Sequence, residues 1–200
     1  MIAPHAAKGR GRPRSERARL AILAAAGELM LEGGLNAATM EAIAERAGVS
    51  KATIYKWWPS RGAVALDGFL AQAHETIAVP EDLSTKEALR FQVRALIHLF
   101  RDTPSGPLMR ALTSQAEGDP ELARAVRERW LAPRRAVAME IVRAGIAAGE
   151  LRPDVDVGVV SDQLFAPIYH RLIFGHEPLN DELADQLVDQ AMYGLSPARS

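Results

Sequence analysis

The chain has no cysteine in its 200 residues, which excludes disulfides, thiolate metal sites and cysteine nucleophiles together. Aromatic residues make up only 6%. No unbroken apolar run reaches the roughly 18 residues of a membrane-crossing helix, and the polar, basic N-terminus lacks the apolar stretch of a signal peptide. The five histidines, His5, His74, His98, His170 and His176, are scattered without an i, i+4 pair or an HExxH motif. Gly9-Arg10-Gly11 has neither the preceding strand nor the third glycine of a phosphate-cradling loop. These absences predict a cytoplasmic protein that is not an enzyme, with no metal site, no cofactor and no membrane partner.

An excess of charge is missing too, with 24 Lys and Arg against 25 Asp and Glu. That balance hides a division. Residues 1–66 hold ten Lys and Arg against five Glu, or +5, which leaves −6 for residues 67–200 of a whole-chain −1. A basic end joined to an acidic remainder suggests that the N-terminal part faces nucleic acid.

Within the basic part, Thr39 can cap a helix that places Met40, Ile43, Ala44 and Ala47 on one apolar face. Gly48 stops it, since glycine enters the left-handed region without a Cβ penalty, and Val49 can supply the accompanying apolar contact. Ser50 then caps a second, brief helix, because Pro59 biases Trp58 away from helical geometry. On it Lys51, Thr53, Tyr55, Lys56 and Trp57 offer donors, cations and amphipathic rings and, with the hydroxyls of Thr39 and Ser50, are the expected DNA-binding residues of the motif, while Ala52, Ile54 and Trp58 can turn inward. Two helices around a short glycine turn make a helix-turn-helix.

The segment AGVSKATIYKWWPSR, residues 47–61, resembles the recognition region of TetR/AcrR-type bacterial transcriptional repressors. Gly-Val-Ser, then Thr-hydrophobic-Tyr, then aromatic-Pro-Ser-basic recur in that family in this order. The motif lies in the first third of the chain, and Trp57 stands where the family tolerates many residues. The resemblance implies backbone contacts for Tyr55 and for Arg61 after Pro-Ser, and a buried role for Trp58. It also implies a homodimer, an operator and a small-molecule effector.

Elsewhere the pattern is helical throughout, with neither strand-like alternation nor an internal repeat. The predicted class is all-α, an N-terminal three-helix DNA-binding module plus a C-terminal helical dimerisation and ligand-binding domain. Residues 1–14 read as a flexible basic arm, whose Arg10, Arg12 and Arg14 could enter a minor groove or merely solubilise the terminus. Residues 15–60 form the DNA-binding domain, with Ser15 capping a first helix that carries Leu20, Leu23, Ala24, Gly27 and Leu31 on one side and ends at Gly33-Gly34. Residues 61–79 are a connector helix with Leu66, Phe69, Leu70, Ala73 and Ile77 on a stripe closed by Pro80, and residues 80–200 are the large domain.

There, Ser84 to Glu87 is a capping-box pattern before Leu89, Val93, Leu96, Ile97 and Phe100. Asp119-Pro120 opens another helix, which Pro133 should kink or split before Val137, Ile141 and Ala144 resume the stripe. Residues 157–174 are apolar on more than one side, and Asn180 opens a last helix. A helix apolar nearly all round is buried twice, by its own domain and by a partner copy. The expected dimer residues are Leu164, Phe165, Ile168 and Leu172 with Leu183, Leu187 and Ala191.

Large apolar side chains with few polar handles suit a small-molecule site. His98, Phe100, Met109 and Leu112 are expected on one part of its wall, and Trp130, Met139, Phe165 and Tyr169 on the other. With little charge among them, an apolar effector is favoured over a phosphate or polyamine. The functional expectation is a ligand-released repressor on a palindromic operator. Its competitor is a sequence-neutral architectural DNA binder, held by phosphate contacts alone.

Overall fold

The computed structural model describes residues 12–73, 79–80 and 82–195. Among them are ten α-helices, one short π-helical segment and no strand. The chain divides into two compact units, residues 1–71 and 72–200.

Unit one contains α1 (Arg12–Ala37), α2 (Met40–Ala47), α3 (Lys51–Tyr55) and nearly all of α4 (Arg61–Gln72). Helix α1 starts three residues ahead of the expected Ser15, so Arg12 and Arg14 have helical backbone instead of belonging to an extended arm. It is broken where the glycine pair was expected to end it, at Gly34 with φ +67°. Its buried face is Ile22, Leu23, Ala26, Leu29 and Met30. Leu20, Ala24 and Leu31, expected on that face, are exposed. The helix is apolar around more than half its circumference, so overlapping stripes satisfy the same spacing. By length and composition Ser15–Ala37 could also cross a membrane, although here this face packs inside the module.

Helix α2 begins as its sequence predicts: the Thr39 hydroxyl oxygen accepts the Ala42 N–H at 3.1 Å. It ends at Gly48 with φ +65°. There Val49 N–H reaches back to the Ala44 carbonyl at 2.9 Å and Gly48 N–H to Glu45 at 3.2 Å, the paired bonds of a Schellman turn. The Ser50 oxygen accepts the Thr53 N–H at 3.2 Å. Ile54 and Trp58 turn into the core; Ala52, expected inward, is exposed. Helix α4 buries Val64, Ala65, Leu66 and Phe69 and comes close to α1, where a Cβ on Gly68 would lie 3.2 Å from the Leu23 carbonyl oxygen. The helix expected as a connector over 61–79 therefore packs with unit one as far as Ala71. Residues 74–78, including the expected Ile77, lie outside the described residues.

Unit two holds α5 (Thr85–Asp102), α6 (Ser105–Ala116), α7 (Pro120–Val126), α8 (Ala132–Ala147), α9 (Val157–Phe174) and α10 (Asp181–Leu195). Both bonds of the Ser84/Glu87 capping box are present, and the five apolar residues expected on α5 are all buried. Residues 127–131 form a wide π turn closed by Ala132 N–H on the Arg127 carbonyl. Pro133, next in line, has no N–H to give. The wide turn carries one residue more than an α turn, and the buried face of α8 moves on by one position: it is Ala138, Val142 and Gly145, not Val137, Ile141 and Ala144.

Asp156 and Asn180 cap α9 and α10 through Val159 N–H at 3.0 Å and Leu183 N–H at 3.0 Å. A ladder of charge ties α10 to α5. Asp189 meets Lys86 and Arg90, Asp185 meets Arg90 and Arg94, and Asp181 meets His98 and Arg101, all within 2.7–3.1 Å.

Gly48 has open space where a Cβ would point, so a substitution there meets only the left-handed backbone. Gly48→Ala is expected to destabilise unit one by about 1–2 kcal/mol, read from denaturant midpoints. Gly118→Ala, at a glycine without positive φ whose nearest neighbour would be 4.0 Å away, should stay within about 0.5 kcal/mol of the parent.

Candidate nucleic-acid interface

The short α3 is held at its start by Ser50 and from beneath by Ile54, which is fully buried. What remains outward is polar. Tyr55 is 54% exposed and its hydroxyl bonds to nothing among the described residues, and Lys56 is exposed beside it. Trp57 is half-buried and meets the Trp58 ring edge-on, 5.6 Å between centroids at 75°. Trp58 is core, its indole N–H donating to the Asp67 carboxylate at 2.7 Å. Arg61 stands half-buried at the start of α4.

The hydroxyls expected at the interface have work inside the motif. Thr39 and Ser50 cap helices. Ser50 and Thr53 share a hydroxyl–hydroxyl bond at 2.9 Å, so of their two protons one is consumed between them. Lys51 Nζ donates to Glu41 on α2 at 2.7 Å. That contact holds the Glu41 carboxyl below its ordinary range and raises the Lys51 ammonium. Both groups are exposed, and a second anion could compete for the ammonium. On the neighbouring edge Arg46 forms a two-pronged pair with Glu32 of α1, one prong at 2.8 Å. Neither acidic partner was singled out from sequence, since each lies 10 or 14 residues from its cation. Arg10 lies outside the described residues, as do the side chains of Arg12 and Arg14.

This motif has known counterparts. The family model of bacterial regulatory proteins of the tetR family matches residues 22–67, and that of a tetracyclin repressor-like C-terminal domain matches residues 79–191. The chain belongs to the TetR family of transcriptional regulators. The HTH-type regulator YdeS of Bacillus subtilis (strain 168) is 39% identical over 186 residues, 93% of each chain. A DNA-binding transcriptional repressor, TetR of Mycobacteroides abscessus, is 30% identical over 91% of this chain and 95% of its own. The crystal structure of TetR family transcription regulator SCO0332 superposes with a TM-score of 0.73 at 41% identity, over 90% of this chain and 100% of that one. This TetR-family regulator therefore carries a DNA-binding helix-turn-helix in unit one, and nothing in its family or fold points to catalysis.

Unit two of the TetR-family chain holds a cavity of about 400 Å³, within the range of small-molecule sites and partly open to solvent, with the exposed Leu131 and Ile173 on its wall. Met109, Trp130, Phe165 and Tyr169 line it. Four other expected residues do not. Phe100 stands behind the wall, 6.0 Å from the Trp130 ring and 5.4 Å from the Tyr169 ring. Leu112 is fully buried core. Met139 is off the wall, its sulfur 3.8 Å from Arg135 Nη1. His98 is exposed and faces α10, Nε2 2.8 Å from Asp181 Oδ1, because the charge ladder occupies that side of α5. Sequence reasoning missed Arg134, Arg135 and Thr113 on the wall; the apolar stripes it followed do not report a cation one position aside.

The expected dimer residues also divide. Leu164, Ile168, Leu172 and Leu183 are buried within the protomer and cannot present a surface. Phe165 belongs to the cavity wall, and Leu187 and Ala191 are half-buried. The large apolar side chains that α9 and α10 expose are Val159, Ile173, Phe174 and Tyr193. Of the residues expected against a partner copy, Leu164, Ile168, Leu172 and Leu183 fill the protomer's own interior.

Proposed function

We propose that this TetR-family regulator is a cytoplasmic repressor that binds a palindromic operator as a homodimer and leaves it when a small molecule enters the cavity of unit two. The observation that carries the DNA half is the outward row of Lys51, Tyr55 and Lys56 on a helix whose other side is anchored by Ile54. A helix presented in this way enters a major groove. Lys51, Tyr55 and Arg61 then hold phosphates, with Thr39, Ser50 and Thr53 able to add hydroxyl contacts. Lys56 suits guanine O6 and N7, and Trp57 a thymine methyl. Arg10, Arg12 and Arg14 add cations of the kind that suits a minor groove.

A two-fold dimer doubles the motif and explains a palindromic site, its half-sites about 34–36 Å apart or a multiple of that. The exposed Phe174 and Tyr193 of the last two helices support their use as the dimer face. Across a two-fold axis each contributes its burial twice. An effector that reshapes unit two changes the separation of the two recognition helices, and register with the half-sites is lost.

Two substitutions on the motif should act in opposite directions. Tyr55→Phe keeps the ring and removes the donor, so operator affinity should fall by about 0.5–1.5 kcal/mol with the melting temperature unchanged. Glu41→Gln releases Lys51 for the phosphate, so affinity should rise and the log-log salt slope steepen by up to about 0.9. Fluorescence anisotropy over a salt series reads both, and equal affinities throughout would take α3 off the DNA.

The dimer is tested separately by light scattering. The double variant Phe174→Glu, Tyr193→Glu should halve the mass with helical circular dichroism intact. A dimeric mass would move the interface to another face.

A further inference from the structure

Around the indole of Trp130 the cavity wall collects two donor groups, the Tyr169 hydroxyl and the Arg134 guanidinium, with neither held by a carboxylate among the described residues. The ring is 1% exposed. Its N–H donates to the Tyr169 hydroxyl oxygen at 2.9 Å, and the Arg134 guanidinium lies over its face, Cζ 3.3 Å from the centroid. The Tyr169 oxygen thus accepts one bond, while its own proton meets no acceptor among the described residues. Burial pushes the Tyr169 pKa up to about 12, so that proton stays in place.

Arg134 carries five N–H donors. One of them approaches the Trp130 carbonyl oxygen at 3.4 Å, and no carboxylate among the described residues is within ion-pair distance of this guanidinium. Its neighbour shows the contrast. Arg135 is held by both oxygens of Asp162, at 2.9 and 3.0 Å. Loss of water lowers the Arg134 pKa, as expected for a half-buried cation that has given up hydration without gaining an anion. Removing such a charge from water is costly until a partner arrives.

The remainder of the wall is mostly apolar, with Leu96, Leu99, Val126 and Phe165 among its residues. A polyamine would bring cations to a cation, and a doubly charged phosphate would set two charges against one guanidinium. A carboxylate brings one charge, and its two oxygens match the planar fork of arginine. We propose that the cavity of unit two takes a monocarboxylate with an apolar body, its carboxylate held by Arg134 and the Tyr169 hydroxyl and its hydrocarbon against Leu96, Leu99 and Phe165; this rests on the effector-cavity reading above. The ligand is then amphipathic, where the apolar stripes alone favour an apolar or weakly polar compound.

Isothermal titration calorimetry of the full chain with two matched pairs, decanoate with decanol and 1-naphthoate with 1-naphthol, tests the assignment. At least one acid should bind about tenfold or more tighter than its alcohol. Arg134→Gln should bring that acid down to the level of its alcohol, and Arg134→Lys should recover part of the preference. If Arg134→Gln fails to fold, Tyr169→Phe keeps the ring, removes the unused proton and should weaken the acid several-fold more than the alcohol. Acid and alcohol binding equally well in both pairs would overturn the carboxylate while leaving an apolar effector cavity standing. A preference that survives Arg134→Gln would overturn the site. No heat from any of the four compounds would overturn both this proposal and the effector reading beneath it.

Discussion

A helix of five residues does not hold itself together in water, because the cost of nucleating it exceeds what so few bonds return. Helix α3, Lys51–Tyr55, exists through what surrounds it. Gly48 turns the chain through a left-handed conformation, Ser50 caps the new helix, and Ile54 and Trp58 pin its inner side to the module. With the inner side pinned, the donors of Lys51, Tyr55 and Lys56 have no direction left but outward. The rest of unit one serves that constraint. Helix α1 supplies the face on which α2 rests, α4 closes on α1 at Gly68, and Asp67 on α4 fixes the Trp58 indole.

Unit two is organised around a different problem, how a helical domain keeps space inside itself. Close packing of apolar side chains fills most interiors. Here the π turn at residues 127–131 and Pro133 after it offset α8 from α7 by one residue, and Trp130 is left standing beside the cavity with Phe100 and Tyr169 against its ring. On the other side of α5 the domain is closed by charge. Asp181, Asp185 and Asp189 recur every four residues on α10 and meet the basic residues of α5. Exposed pairs of this kind each contribute little, but their spacing matches one face of α10 to one face of α5. The ladder takes three carboxylates and four Lys or Arg, so the acidic excess of residues 67–200 lies outside it.

What was legible in the sequence was whatever local chemistry decides. Thr39, Gly48, Ser50, Ser84, Asp119 and Asn180 all start or stop helices where their side chains or backbone freedom say they should. The family signature in residues 47–61 led to the TetR-type fold. The features that were not legible depend on partners distant in the chain or on phase. In α1, too many alanines and leucines left several stripes equally apolar. In α8, one extra residue in a wide turn moved the buried face from Ile141 to Val142. His98 was drawn to Asp181, 83 residues away, and Arg134 stands on the cavity wall although it breaks every apolar pattern. Leu164, Ile168, Leu172 and Leu183 show the same limit, since periodicity marks a buried face without saying whether its own protomer or a partner covers it.

The central claim is that this TetR-family chain recognises one DNA sequence and does not coat DNA in general. The direct measurement is a competition at physiological salt between a duplex bearing any inverted repeat that a scan of the DNA flanking the coding region yields and a scrambled duplex of equal length. The account predicts a preference of about 10³ or more for the repeat. A ratio near unity would contradict it and leave a protein that binds phosphates without reading bases.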